Sequence, residues 1–433
     1  MTWVIVGHTM MHCINHDPGS ANALELIGHE GQGYAADWSG QPIQSAFFSV
    51  DTFFFMGGLL AVVISLPKIH MLDSIAKVPL LYVKRWLRLT PPLILAIYIY
   101  LYITPILGSG PWYGLRDRQE FCSKYWWTNP LFIMNIIPGR GEECFGEAWY
   151  LAVDFQLFMF LPWVLLLHEK SIKMTWGVLL TTLVAATTYT YWLAYTYEMH
   201  FSAFMVFVDN AKPVNYRSNY YFNTFTRSPP YIVGLLAGFA WYDWIRHITW
   251  SRTTNILMTI TWANLLYWPV YGGYWEYQDF PSTLPMTTEA AYIAYTKTAW
   301  AVGLAILCIQ CFANRGGFFQ WCLSFRCYVP MAKLSYCAFL MHYVPQTQYY
   351  YSDVTPISGS AMTFTVGVVA SIVLSYVYAI PLYILVEYGT KRVDEEFLTP
   401  KRYAKKPKQV ATEGKAIGVE SKRDMEELKR GDV

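Results

Sequence analysis

FSVDTFFFMGGLL, residues 48–60, carries one carboxylate, Asp51, inside a run that is otherwise aromatic, aliphatic or small. A helix rises about 1.5 Å per residue, so roughly 20 apolar residues cross about 30 Å of hydrocarbon. Taken over 45–66, this run is long enough to do so. An isolated charge is costly there, so Asp51 is expected to face a polar bundle interior rather than lipid.

The whole chain reads the same way. Of its 433 residues, 54% are hydrophobic and 14% charged, against about 25% charged in soluble domains. Mean hydropathy is positive. The 34 Tyr, 25 Phe and 18 Trp suit aromatic belts at membrane–water boundaries. A soluble domain of this length would need more charge on its surface, so the fold class is an all-α, polytopic membrane helix bundle. Further spans are expected near 87–107, 148–167, 174–195, 229–245, 253–271, 290–312, 328–350 and 361–386. The opening MTWVIVGHTMMHC is half a span long and lacks the basic start of a signal peptide. It is expected to be the outer half of a first helix whose beginning is missing, which makes about ten helices with the first truncated.

Lys and Arg set the orientation. Loops 67–86, 168–173, 246–252 and 313–327 hold ten of them, whereas the much longer opposite loops hold seven. The first set is expected to be cytoplasmic together with the C-terminus. Residues 1–390 then form the membrane domain, and 391–433 a polar, disordered cytoplasmic tail. The host membrane is expected to be the plasma membrane or the endoplasmic reticulum. Cys122 and Cys144 share one outer loop facing an oxidising space, so a disulfide between them is expected. Cys308 and Cys311 form a CxxC at an inner helix end without a second pair, and packing accounts for it better than metal or redox chemistry. The basic residues line a membrane face rather than a patch with stacking aromatics, so no nucleic acid is expected as a partner. The lipid bilayer is.

Several ionisable groups fall where they should be costly: His8, Asp51, Asp154, Lys297, Lys333, His342 and Glu387. Arg85 and Arg88, in KRWLRLTPP, share one helical face at i, i+3. With Lys84 they suit phosphates, and ordinary headgroup anchoring suits them equally. His8 could act as a general base near neutral pH, or be a hydrogen-bonded structural residue. His12 lies one turn on, but no third ligand is evident and no metal is expected. Asp51 could pair with a basic group or stay neutral. On residues alone, a transporter and an enzyme both remain open.

Four stretches, in order along the chain, resemble the acyltransferase-3 family of integral-membrane acyltransferases, and specifically its nose-resistant-to-fluoxetine-like animal branch. SVDTFFFMGGL (49–59) is similar to the family's G-V-D-x-F-F-x-x-S-G-[FL], with Gly57-Gly58 replacing Ser-Gly. RWLRLTPP (85–92) resembles R-x-x-R-[IL]-x-P. WYLAVDFQLFMFLP (149–162) resembles W-S-L-[SA]-V-E-x-Q-x-x-x-x-x-P, with Asp154 for Glu. LSYCAFLMHY (334–343) resembles I-S-Y-x-[IL]-Y-[LM]-x-H, with His342 at its histidine. RSPPYIVGLLAG, from Arg227, is similar to a further helix start, and His8 matches the first-helix histidine.

The resemblance implies O-acyl transfer from a cytoplasmic thioester such as acyl-CoA, as co-substrate, to a hydroxylated or lipophilic acceptor. It implies His8 as catalytic base, oriented by Asp51 or Asp154 as in a serine-protease triad. Arg85 and Arg88 would hold donor phosphates, and His342, Glu387 and Arg227 would lie at the pocket. No bound cofactor is implied. The alternative from the same resemblance is an uptake protein or transporter for lipids or lipophilic small molecules, and a catalytically dead scaffold is the third.

Overall fold

A computed structural model describes residues 1–14, 22, 37–67, 78–108, 116–138, 142–201, 217–274, 284–352 and 358–393. The expected disordered tail lies outside the described residues from 394 onward. Among the described residues, all regular structure is helical.

The principal helices are α1 (Thr2–Ile14), α2 (Phe48–Ser65), α3 (Val78–Tyr98), α4 (Arg116–Tyr125), α5 (Trp149–Lys170), α6 (Ile172–Thr196) and α7 (Thr224–Asp243). They continue with α8 (Arg252–Tyr271), α9 (Met286–Phe312), α10 (Gly317–Leu323), α11 (Tyr328–Met341), α12 (Tyr343–Tyr351) and α13 (Ala361–Leu382). A wide turn at Ile99–Ile103 prolongs α3, and another at Tyr383–Glu387 prolongs α13 into Tyr388–Val393. Six helical stretches are long and apolar enough to cross a membrane: Trp38–Ser65, Val78–Leu107, Gly146–Lys170, Ile172–Thr196, Met286–Phe312 and Ala361–Val393. The remaining expected spans fall on α1, α7, α8 and the α11–α12 pair, which length and hydropathy alone do not qualify.

α7 is the axis of the bundle. Every residue from Thr226 to Phe239 is buried, Pro229 and Pro230 included. A helix covered on all sides sits inside a bundle rather than on its surface. Its neighbour α2 approaches backbone to backbone because both present glycine at the crossing. A methyl group added at Gly58 would meet the Tyr231 carbonyl and, at 3.0 Å, the Leu235 nitrogen; one at Gly234 would meet the Phe55 carbonyl and, at 2.8 Å, the Leu59 nitrogen. Gly238, one turn on, makes room for the Val62 side chain. Small residues at i and i+4 are how membrane helices pack closely when lipid supplies no hydrophobic drive.

The segment before α5 is tied down twice. A disulfide joins Cys122 to Cys144. Gln156 Nε2 donates to the Phe132 carbonyl at 2.9 Å, and Asn135 Nδ2 donates to the Phe222 carbonyl at 3.1 Å. This segment therefore packs against α5 and the start of α7, beside the charged residues of the interior.

Candidate functional site

α1 lies against α2's entry turn and α12. Gly7 packs on Ala46, and Gln346 Nε2 donates to the Ile5 carbonyl and to Thr9 Oγ1, both at 3.0 Å. Sequence reasoning passed over Gln346, although an amide in an apolar segment is a signal of helix–helix bonding. With α1 so placed, the rings of His8 and His342 meet edge to edge, nearly coplanar, with centroids 4.8 Å apart, and His8 Nδ1 is hydrogen-bonded to His342 Nε2. His342 Nδ1 is bonded to the Phe339 carbonyl.

That carbonyl can only accept, so His342 Nδ1 carries a hydrogen. In a neutral imidazole the other nitrogen is then an acceptor. His8 must therefore donate from Nδ1 to His342 Nε2, and its own Nε2 bears the lone pair. A backbone carbonyl thus sets the tautomers of both histidines in turn. His342 is fully buried and His8 half-buried. His12, one turn further along α1, lies tilted against Tyr343 and nearly parallel to Tyr350, with ring centroids 4.8 and 5.9 Å away.

The two carboxylates expected to orient His8 are held elsewhere. Asp51 Oδ1 accepts from Arg227 Nη1 at 2.9 Å, and neither residue is exposed. Arg227 Nε donates to the Tyr221 carbonyl at 3.0 Å, and its guanidinium lies over the rings of Tyr221 (4.3 Å) and Trp149 (5.3 Å). Asp154 is ion-paired with Arg85, whose guanidinium also lies 4.2 Å over Phe158. The reason is topological: α2 and α5 both turn these faces toward basic helix neighbours, whereas α1 meets the C-terminal end of α11. The group bonded to His8 Nδ1 is His342 rather than either carboxylate.

The sequence profile of the acyltransferase domain, Acyl_transf_3, matches residues 1–380. The chain belongs to the acyltransferase-3 family. Nose resistant to fluoxetine protein 6 of Caenorhabditis elegans is 25% identical to it over 423 aligned residues, covering 93% of this chain and 50% of that protein. The chain thus spans about half the length of the curated relative it matches. No solved structure matches it.

In this acyltransferase-3 protein the motif arginines are not equivalent. Arg85 is committed to Asp154, whereas Arg88 is exposed. Tyr336 donates to the Leu89 carbonyl at 2.6 Å and lies within electrostatic range of Arg88, Glu387 and Asp154. Glu387 itself is buried, bound by Lys391 at 2.7 Å and by the Cys337 thiol at 2.9 Å. Glu387 is thereby placed near the Arg88 end rather than beside His8. Between the two ends run the rings of Tyr150 and Phe339, 5.5 Å apart, with Phe339 5.7 Å from His342. Six positions of α11 separate Tyr336 from His342, or about 9 Å of helix rise. Among the described residues no group of three His, Cys, Asp or Glu is placed to hold a metal ion.

Proposed function

We propose that this multi-pass membrane protein is an O-acyltransferase that moves an acyl group from a cytoplasmic thioester donor, acyl-CoA, to a hydroxyl acceptor. The observation that carries the reading is the hydrogen-bond series Phe339 carbonyl, His342, His8. It leaves a basic nitrogen on a half-buried imidazole, which is what general-base activation of a hydroxyl requires. The acceptor oxygen attacks the thioester carbonyl carbon as its proton passes to His8 Nε2. The tetrahedral intermediate then breaks its C–S bond, and the departing sulfur takes that proton to become a free thiol. His342 Nε2 accepts from His8 Nδ1 throughout and spreads the positive charge that His8 acquires, the part the acid plays in a triad.

On this reading Arg88 and Lys84, one turn apart on α3, meet the donor phosphates from the cytoplasmic side. Arg85 positions the helix through Asp154 rather than touching the donor. The basic inner loops support a cytoplasmic C-terminus in the plasma membrane or endoplasmic reticulum.

The test uses purified full-length protein with labelled acyl-CoA, following thiol release. Release by the wild-type chain, lost in a folded His8→Ala variant, is the expected result. Undiminished release by that variant removes His8 from the role. Lipid or small-molecule flux in vesicles that proceeds without any acyl donor would replace the enzyme reading with a transporter.

A further inference from the structure

We propose that Cys327, in the turn between α10 and α11, is S-acylated by a long-chain acyl-CoA, and that this turn lies in the headgroup boundary of the bilayer. Every residue from Leu323 to Pro330 is exposed, Cys327 among them. Rings line the same stretch. Phe318, Trp321, Phe325 and Tyr328 follow one another with centroids 6.1, 6.3 and 6.4 Å apart. Phe318 is 68% exposed and Trp321 65%. A different ring, Phe319, seats α10 on α8 by meeting Trp262 edge-on at 4.8 Å, and Asn255 Nδ2 of α8 donates to the Arg315 carbonyl at 3.2 Å. The segment is therefore held in place while its ladder of rings stays uncovered. It follows directly on α9, which ends at Phe312 and is long and apolar enough to cross a membrane. Aromatic side chains just beyond a membrane helix belong at the lipid–water boundary.

The two ends of the bundle differ in their sulfur chemistry. The Cys122–Cys144 disulfide comes shortly before Trp149, where α5 begins. Near the other end of α5, His168 is bonded to Asp243 of α7 at 3.1 Å, and Trp241 of α7 meets Phe312 of α9 at 5.4 Å. The α10 turn thus stands at the bundle end away from the disulfide. Disulfides persist in oxidising spaces and thiols in the cytosol, so the proposal puts the turn on the cytoplasmic face, which acyl-CoA can reach. Of the free cysteines among the described residues, Cys327 is the exposed one; Cys308, Cys311 and Cys322 are half-buried and Cys337 is buried. The Cys327 sulfur attacks the thioester carbonyl carbon, its proton goes to the departing CoA sulfur, and the products are an S-acyl cysteine and free CoA. A juxtamembrane cysteine is a known kind of target for this reversible step, and the chain it gains can enter the bilayer beside the ladder.

The modification involves neither His8 nor hydroxyl acylation, and stands or falls apart from that activity. Full-length protein from animal cells is reduced, its free thiols are blocked with N-ethylmaleimide, and neutral hydroxylamine then frees acylated thiols for a polyethylene glycol–maleimide tag. One hydroxylamine-dependent tag is expected on the wild-type chain. It should be lost in Cys327→Ser and kept in Cys322→Ser and Cys311→Ser. The double variant Trp321→Gln/Phe325→Gln alters exposed side chains only and should lower the tagged fraction several-fold, because the thiol no longer rests in the boundary. A wild-type chain without the tag, or a tag that survives Cys327→Ser, overturns the acylation. An undiminished tag in the double variant overturns the placement of the turn.

Discussion

His8 and His342 are 334 positions apart in the chain and form one hydrogen-bonded pair of rings meeting edge to edge, with ring planes only 17° from parallel. Their order of donation is set from the His342 end, by the Phe339 carbonyl. The pair therefore has a direction, and His8 is the member left basic.

That direction yields the first prediction. His342→Phe removes the acceptor for His8 Nδ1 and should lower thioester turnover by about 10³- to 10⁴-fold, comparable to losing the orienting member of a triad. His342→Gln keeps an acceptor oxygen and should retain more turnover than the phenylalanine variant. Thiol release with matched circular dichroism spectra separates this from misfolding. Equal activity in the two variants would show that His342 does not orient His8.

A second prediction concerns Asp51 and Arg227. Removing one partner of a buried pair leaves the other charge uncompensated, which costs about 3–5 kcal/mol. Asp51→Ala should therefore be strongly destabilising, as should Arg227→Met. The double variant should be less destabilised than the two single effects added together. Thermal unfolding of the four proteins measures that coupling, and strict additivity would mean that the 2.9 Å contact carries no energetic weight.

How much of this was readable beforehand follows from range. The bundle was legible because a bilayer imposes length and hydrophobicity segment by segment, so runs such as 148–167 declare themselves without knowledge of their neighbours. Asp51 was likewise legible as a charge in need of a partner. Its partner was not, because Arg227 lies 176 positions away and only the α2–α7 crossing brings them together. The same crossing explains Gly58, the glycine of the motif, which is where the α7 backbone passes; it does not account for Gly57 in place of the motif's serine. The part played by His342 depends on a backbone carbonyl and a ring orientation, neither of which leaves any trace in residue types. Arg85 and Arg88 looked alike at i, i+3, but one faces Asp154 and the other is exposed, a difference of only about 60° in where α5 stands around α3.

The glycine crossing gives a third prediction. Gly58→Val must push α2 off the Tyr231 carbonyl, and overpacking of this kind costs about 1–3 kcal/mol. Gly177, on α6, has nothing within 4 Å of the position its Cβ would take. Gly177→Ala should then be neutral or stabilising by up to about 1 kcal/mol through helix propensity. Unfolding temperatures in the same detergent provide the comparison, and similar effects at the two sites would contradict close α2–α7 packing.

The last prediction concerns the segment before α5. Cys122 and Cys144 are separated by 22 positions, and closing a loop of that size stabilises a fold by about 3 kcal/mol in the chain-entropy account. The double variant Cys122→Ser/Cys144→Ser should lose about that much. The segment it frees also carries Phe132 and Asn135, which bond Gln156 and the Phe222 carbonyl near the start of α7. Loosening should therefore reach inward, and amide hydrogen exchange should rise over 126–138 and at the first turn of α7 as well as around the missing bond. Exchange that rises only at 119–125 and 142–145 would mean that the asparagine–glutamine contacts hold the segment without the disulfide.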